Sequence, residues 1–323
     1  MDNSLLMWVG FNVFVLAMLA VDLGIFHKHA HDVSSKEALT WSIIWVTLAL
    51  CFNACIYFFW NDLSPQSAYS NAEAATAFFT GYIIEKSLSI DNIFVIALIF
   101  GYFAVPKLYQ HRVLFWGILG ALVMRGLMIW LGAALITEFH WVIYIFGGFL
   151  IISGIKMALQ KDSHIEPDKN PLVRFFKKFM PITNEYDGQK FFTVKNGVKM
   201  ATPLFVALII VEFTDLVFAV DSIPAIFAVT KDPFIVYTSN VFAILGLRSL
   251  YFLLANAVHK FMYLKLGLSV ILVFVGIKLL LTGSAYQLST ELSLGVIATV
   301  LVLSVVASFI RNKREEKEAA DRK

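Results

Sequence analysis

Apolar runs long enough to cross a bilayer recur from one end of this 323-residue chain to the other, a pattern no water-soluble fold accommodates. A span needs about 20 residues at about 1.5 Å of rise each. Nine segments meet that requirement: Leu5 to Phe26, Ala38 to Trp60, Ala72 to Phe103, Val113 to Ile136, Trp141 to Gln160, Ala201 to Val229, Tyr237 to Val258, Met262 to Thr282 and Leu292 to Ile310. The expected fold class is therefore an all-α polytopic membrane protein with about nine transmembrane helices in one domain, 1–310. A loop at 161–199 and a tail at 311–323 lie outside the lipid on this reading. Only 15% of residues are charged, where soluble domains have about 25%. That figure excludes disorder, and a net charge of +3 carried by scattered basic residues gives nucleic acid nothing to bind.

Orientation follows from lysine and arginine. With the N-terminus outside and the C-terminus in the cytoplasm, Lys28, Lys36, Lys107, Arg112, the basic 161–199 loop, Lys260, Lys265 and the run from Arg311 all fall inside. Lys231 alone falls outside, as the positive-inside rule requires. The first segment lacks a basic n-region and is expected to be retained as a helix. Trp8, Trp41, Trp60 and Trp141 stand near segment ends as interfacial anchors. Cys51 and Cys55 share one helix face and are expected to be small buried apolar residues.

The chain repeats itself. Glu85-Lys-Ser-Leu-Ser-Ile-Asp91-Asn92-Ile93 matches Asp215-Leu-Val-Phe-Ala-Val-Asp221-Ser222-Ile223 at an offset of 130. Arg125 answers to Arg248 at 123, and Gly154-Ile155-Lys156 to Gly276-Ile277-Lys278 at 122. Two units of three spans each, about 72–160 and about 201–282, follow from this order. Because three is odd, the second unit enters from the opposite side, giving the inverted repeat of many transporters.

Glu85, Asp91, Glu212, Asp215 and Asp221 fall at mid-membrane depth. At roughly 2.5–3.5 kcal/mol each, together they cost on the order of 15 kcal/mol unless compensated. Glu85 and Asn92 lie on one helical stripe, as do Asp215 and Ser222, while Asp91 and Asp221 point about 120° away. Convergence of all five needs a break in the helix or contacts in two directions. Pro224 is the expected break in the sixth segment, and Ser87, Ser89 and Asn92 are expected to soften the third. Lys86, Arg125 and Arg248 are candidate internal ion pairs, the two arginines chiefly as struts. Against these three bases the five acids leave a formal charge of −2, which a divalent cation or two protons would settle. Carboxylates with Asn92, Ser89, Ser222 and Thr214 form a hard-oxygen set suited to Mn²⁺, Mg²⁺ or Ca²⁺.

At these residues the chain resembles the TerC family of bacterial integral membrane proteins, in its Alx-like branch. The stretches 81–92, 211–229 and Thr238-Ser-Asn240-Val-Phe-Ala-Ile-Leu-Gly-Leu-Arg248 carry the likeness. The resemblance implies a multi-pass protein of the bacterial inner membrane, related to LysE-type transporters and concerned with Mn²⁺ export, with an older family association with tellurite resistance. Glu85, Asp91, Glu212, Asp215 and Asp221 are the acids such a family would use for the metal. Asn92, Ser222 and Asn240 stand at motif positions and are inferred as further ligands. Glu212 has no acidic counterpart, since Tyr82 occupies the equivalent position.

Weaker signals remain. His27, His29 and His31 form an extended H-x-H-x-H that suits either metal capture or a solvated loop, and Asp22 stands near the inner end of the first helix. Neither a phosphate loop, G-x-S-x-G nor H-E-x-x-H occurs, so no enzyme, cofactor or ATP-driven pump is expected. Three functions stay open: a proton-coupled exporter of a divalent cation, a non-transporting membrane partner that hands metal to exported proteins, and an exporter of small organic cations. Oligomeric state is not legible.

Overall fold

The computed structural model describes residues 3–24, 34–139, 141–159, 180–183, 185–195, 197–254, 263–282, 284 and 286–321. The side chains of Asp22 and Asp91, the histidines at 27, 29 and 31, and residues 160–179 lie outside that description.

Ten helices and one hairpin make up the described chain. They are α1 (Asn3–Gly24), α2 (Ser35–Leu63), α3 (Asn71–Tyr102), α4 (Lys107–Glu138), α5 (Val142–Leu159), β1 (Phe192–Lys195), β2 (Val198–Ala201), α6 (Pro203–Phe227), α7 (Pro233–Leu245), α8 (Leu247–Leu254), α9 (Leu264–Leu280) and α10 (Thr290–Asp321). Several starts are written in the sequence. Ser34 accepts from the Glu37 amide to cap α2, and Ser70 with Glu73 closes a reciprocal capping box on α3. Pro203 and Pro233 open α6 and α7 where a missing N–H does no harm, and Asp232 caps the latter.

Among the described residues, five helices are long and apolar enough to cross a membrane: α2, α4, α5, α6 and the Thr290–Arg314 stretch of α10. The pair α7 and α8, bent by 40° at Gly246, makes a sixth. The remaining expected spans fall short of that test for physical reasons. α1 offers only the stretch Leu5–Val21, α9 has 17 residues, and α3 carries Glu85, Lys86 and Asp91. The charges of α3 do not argue for exposure to water, because Glu85 is buried in the bundle.

Breaks fall where the sequence reading did not put them. α6 runs through Pro224 to Phe227, and α3 runs unbroken from Asn71 to Tyr102. Ser87 and Ser89 donate back to the carbonyls of Ile83 and Glu85, which leaves the helix intact. The interruption lies at Gly246, where a Cβ would stand 2.6 Å from Lys86 Nζ and 3.3 Å from Trp45 Cβ. A side chain there would displace the Lys86 ammonium, the flexible end of its chain, and press on Trp45.

The 161–199 loop also holds unanticipated order. β1 and β2 pair antiparallel, Phe192 opposite Ala201 and Lys195 opposite Val198, with Gly197 at φ +78°. Asn196-Gly197 is the hairpin signal in the sequence. Tyr186 donates to the Phe103 carbonyl at 2.7 Å, tying the segment to the end of α3. Thr193 and Lys190 hydrogen-bond Asp187 and hold its carboxyl below the ordinary carboxylate range.

α5 and α9 form the most extensive helix pair. Backbones approach so closely that a Cβ on Gly147 would lie 2.9 Å from the Gly276 carbonyl, and one on Gly154 would lie 2.8 Å from that of Ser269. Ser269 Oγ donates to the Gly154 carbonyl at 2.8 Å. Small residues at such spacing are how helices associate in lipid, where the hydrophobic effect offers no drive. Two expectations need correction here: Cys51 and Cys55 are exposed on α2 rather than buried, and Trp60 is buried against Phe234 rather than interfacial.

Candidate functional site

Four helices bring six polar side chains to one point. α3 supplies Glu85 and Asn92, two turns apart on one stripe, and α6 supplies Asp215 and Ser222 at the same spacing. Arg125 enters from α4 and Asn240 from α7. None of the six is more than 4% exposed.

Arg125 organises the cluster. Its Nε and Nη2 donate to Asp215 Oδ2 and Oδ1 at 3.1 and 2.8 Å, a bidentate pairing. Its Nη1 bonds Glu85 Oε1 and Asn240 Oδ1, the latter at 3.0 Å, with Ser222 Oγ at 3.5 Å. Each acid receives one neutral donor besides. Asn240 Nδ2 reaches Glu85 Oε2 at 3.2 Å, and Asn92 Nδ2 reaches Asp215 Oδ1 at 2.8 Å.

One turn before Asp215, Glu212 lays its carboxylate against Gly120 of α4, and its Oε2 is buried without a hydrogen-bond partner. Asn92 Oδ1 is likewise unpartnered. Two carboxylates, Glu85 and Asp215, thus share one guanidinium, and Glu212 adds a third acid one turn from Asp215 with no basic partner of its own among the described contacts. Beside the cluster lies a cavity of about 20 Å³, bounded in part by Asn92, Asp215, Gly117, Ala121 and Leu247. That volume holds about one water-sized occupant.

The remaining candidates point elsewhere. Asp221 turns toward α5, where Ser153 and Lys156 stand close by, so the acids face two directions. Lys86 donates to the Ala243 carbonyl at 3.3 Å rather than to a carboxylate, at the C-terminal end of α7 where the helix dipole favours a cation. Arg248 Nη1 donates to His111 Nε2 at 3.0 Å. Thr214 bonds back to the Ile210 carbonyl at 2.7 Å. The side chain of Asp91 lies outside the described residues. Ser153 was not anticipated; its place one turn before Lys156 on α5 was the available signal.

Among the described residues, no three of His, Cys, Asp and Glu converge as a ready metal cage. The oxygens present do match a hard divalent cation: two carboxylates within reach of one arginine, two amide oxygens and a hydroxyl. Arg125 occupies the coordinating faces of both acids. A cation would take those faces only as the guanidinium yields them.

Comparison with known proteins places these features in context. A family model described as the integral membrane protein TerC family matches residues 70–316. An uncharacterized membrane protein of Myxococcus xanthus is 54% identical over 315 residues, covering 98% of this chain and 95% of its own. A protein of Escherichia coli strain K12 named Alx, described as a candidate membrane-bound redox modulator, is 48% identical over 314 residues and 97% of both chains. An uncharacterized membrane protein of Rickettsia bellii is 40% identical over 311 residues, 96% of this chain and 99% of its own. No solved structure matches.

Proposed function

This chain belongs to the TerC family of integral membrane proteins, in the branch of its Alx-named relatives, and on that footing we propose that it is a secondary transporter exporting a divalent metal cation, Mn²⁺ foremost, in exchange for protons. Its membrane on this reading is the bacterial inner membrane, with the N-terminus outside and the C-terminus in the cytoplasm.

The observation that carries the reading is the excess of buried acid. Glu85 and Asp215 share the single guanidinium of Arg125, and Glu212 adds a third carboxylate one turn from Asp215. A structural strut needs no such surplus. Ionisable groups at this depth are expensive, and they mark ion and proton paths by default. When the metal leaves, protons take its place on the same oxygens.

Contacts that map onto one another through the repeat offsets support the inverted arrangement. On α5 and α9, an offset of 122 carries Gly147 to Ser269 and Gly154 to Gly276, so the Gly147–Gly276 contact becomes the Gly154–Ser269 contact. On α3 and α6, an offset of 130 turns the Asn92–Asp215 hydrogen bond into the Ser222–Glu85 pair, both of whose members accept from Arg125 Nη1. Antiparallel helices related by a two-fold axis behave in this way. Alternation of the two halves would expose the acids to one side and then the other.

One observation favours a second reading, a non-transporting partner that delivers metal to exported proteins: Arg125 holds both central acids and leaves no ready cage among the described residues. The redox role in the relatives' description finds no thiol at the site, since Cys51 and Cys55 are exposed on α2 while the acids are buried. Purified protein in liposomes separates the readings. A transporter moves Mn²⁺ unaided, and Asp91→Asn, Asp215→Asn and Asp221→Asn each slow it; a partner moves none. Flux unchanged in all three variants would remove these acids from the mechanism.

A further inference from the structure

The loop between α5 and α6 carries more structure than a connection needs. Its described part, residues 180–183, 185–195 and 197–201, forms a unit that holds its own shape. β1 and β2 pair, Asp187 accepts from Lys190 and Thr193, Glu185 pairs with Lys195, and the Thr183 amide donates to the Ala201 carbonyl at 2.9 Å. The corresponding connection before α3 is only the short stretch 64–70, so the two-fold relation of the halves does not call for this unit.

The unit covers one end of the bundle, the cytoplasmic end on the orientation proposed above. Ile182, Tyr186 and Phe191 pack on the apolar cluster formed where α3 ends and α4 and α6 begin. That cluster runs inward to Ile96, Leu114, Val211 and Leu247, which bound the small cavity beside Asp215 and Asn92. An apolar column therefore stands between this end and the acids, and a cation crosses such a column only when water enters it.

The base of the unit is continuous with α6, where Thr202 Oγ1 donates to the Lys190 carbonyl at 2.8 Å and the rings of Phe192 and Phe205 stand 4.6 Å apart. Its far side meets α3 and α4 through aromatic side chains. Tyr186 donates to the Phe103 carbonyl, its ring lies 6.0 Å from that of Tyr109, and the Arg112 guanidinium lies 5.0 Å above Phe191. The accepting peptide joins Phe103 to Ala104, which at φ +49° is the only non-glycine residue with positive φ among the described residues. Such a conformation persists only while its surroundings hold it, so strain sits where the unit touches α3.

We propose that the 180–201 unit is the inner lid of the path to the acids, latched on α3 and α4 by Tyr186 and Phe191 and hinged where Thr202 enters α6. When the latch opens, water follows into the apolar column and Mn²⁺ from the cytoplasm reaches the cluster. This rests on the transporter reading and adds the element that admits the cargo.

The test has two arms, both in protein carrying Cys51→Ser and Cys55→Ser so that introduced thiols are the only ones. In the first, Ala121→Cys places a thiol in the cavity wall, and its modification by a charged thiol reagent is timed. Tyr186→Phe and Phe191→Ala are each expected to speed modification by at least about threefold, while Gly154→Ala, which loosens α5 against α9, leaves the rate unchanged. A cover of structural importance alone would respond to all three alike, and equal rates or equal acceleration overturns the proposal. In the second arm, Tyr109→Cys and Tyr186→Cys are joined by a reducible bifunctional reagent and Mn²⁺ flux is measured in liposomes. The joined protein is expected to carry Mn²⁺ at least about tenfold more slowly and to regain its rate on reduction. Unchanged flux in the joined protein sinks the lid and leaves transport standing, whereas absence of flux in wild type sinks both. Should the paired variant fail to fold, the labelling arm decides alone.

Discussion

Arg125 meets Glu85 and Asp215 through three nitrogens, so its removal leaves two buried carboxylates facing each other with only amide donors for company. Breaking a buried charge cluster by deleting one member costs roughly 3–5 kcal/mol. Arg125→Ala is expected to lower the unfolding midpoint in detergent by a corresponding amount, with Arg125→Lys between, because an ammonium lacks the bidentate fork. A midpoint equal to wild type would show that protons already neutralise the acids. At this scale the sequence was legible in part. Spacing alone placed Glu85 with Asn92 and Asp215 with Ser222 on shared stripes and turned Asp221 away, and Asp221 does face Ser153 and Lys156. It could not say which way a long basic side chain would reach. Lys86 turns to the end of α7 and Arg248 to His111, choices set by neighbours distant in the chain.

Helix pairing is where small residues act. At Gly154 a methyl group would stand 2.8 Å from the Ser269 carbonyl and 3.1 Å from the Val273 amide, neither of which can step aside without moving α9. Gly154→Ala is expected to destabilise by about 1–3 kcal/mol. Gly148, with nothing within 4 Å, serves as the contrast, and Gly148→Ala should stay within about 1 kcal/mol of wild type. Equal thermal midpoints for the two variants would deny the close α5–α9 approach. The extents of these helices were readable from apolar length. Their interruptions were not: Pro224 takes one donor out of the last turns of α6 and the helix runs on through it. Pro224 stands three residues from the end of α6. At Gly246 the backbone passes close to Lys86 and Trp45, a tertiary approach that no local pattern records.

The molecule as a whole is a multi-pass membrane protein in which charged helices hide inside apolar ones. Lysine and arginine placement gives its orientation a direct check: a C-terminal reporter that works only in the cytoplasm should be active, and one inserted beside Lys231 silent. The reverse pattern would invert every statement about inward and outward access. The grip of Arg125 on Glu85, Asp215 and Asn240 emerged only from coordinates, because no local pattern records which distant acids a guanidinium will reach. The most direct trial of the site itself is equilibrium binding of Mn²⁺ to purified protein, followed by loss of the free-ion paramagnetic resonance signal. Wild type should withdraw Mn²⁺ from solution saturably, and Glu85→Gln combined with Asp215→Asn should withdraw almost none. Equal uptake by the two proteins, or none by wild type, would contradict a cation held between α3 and α6.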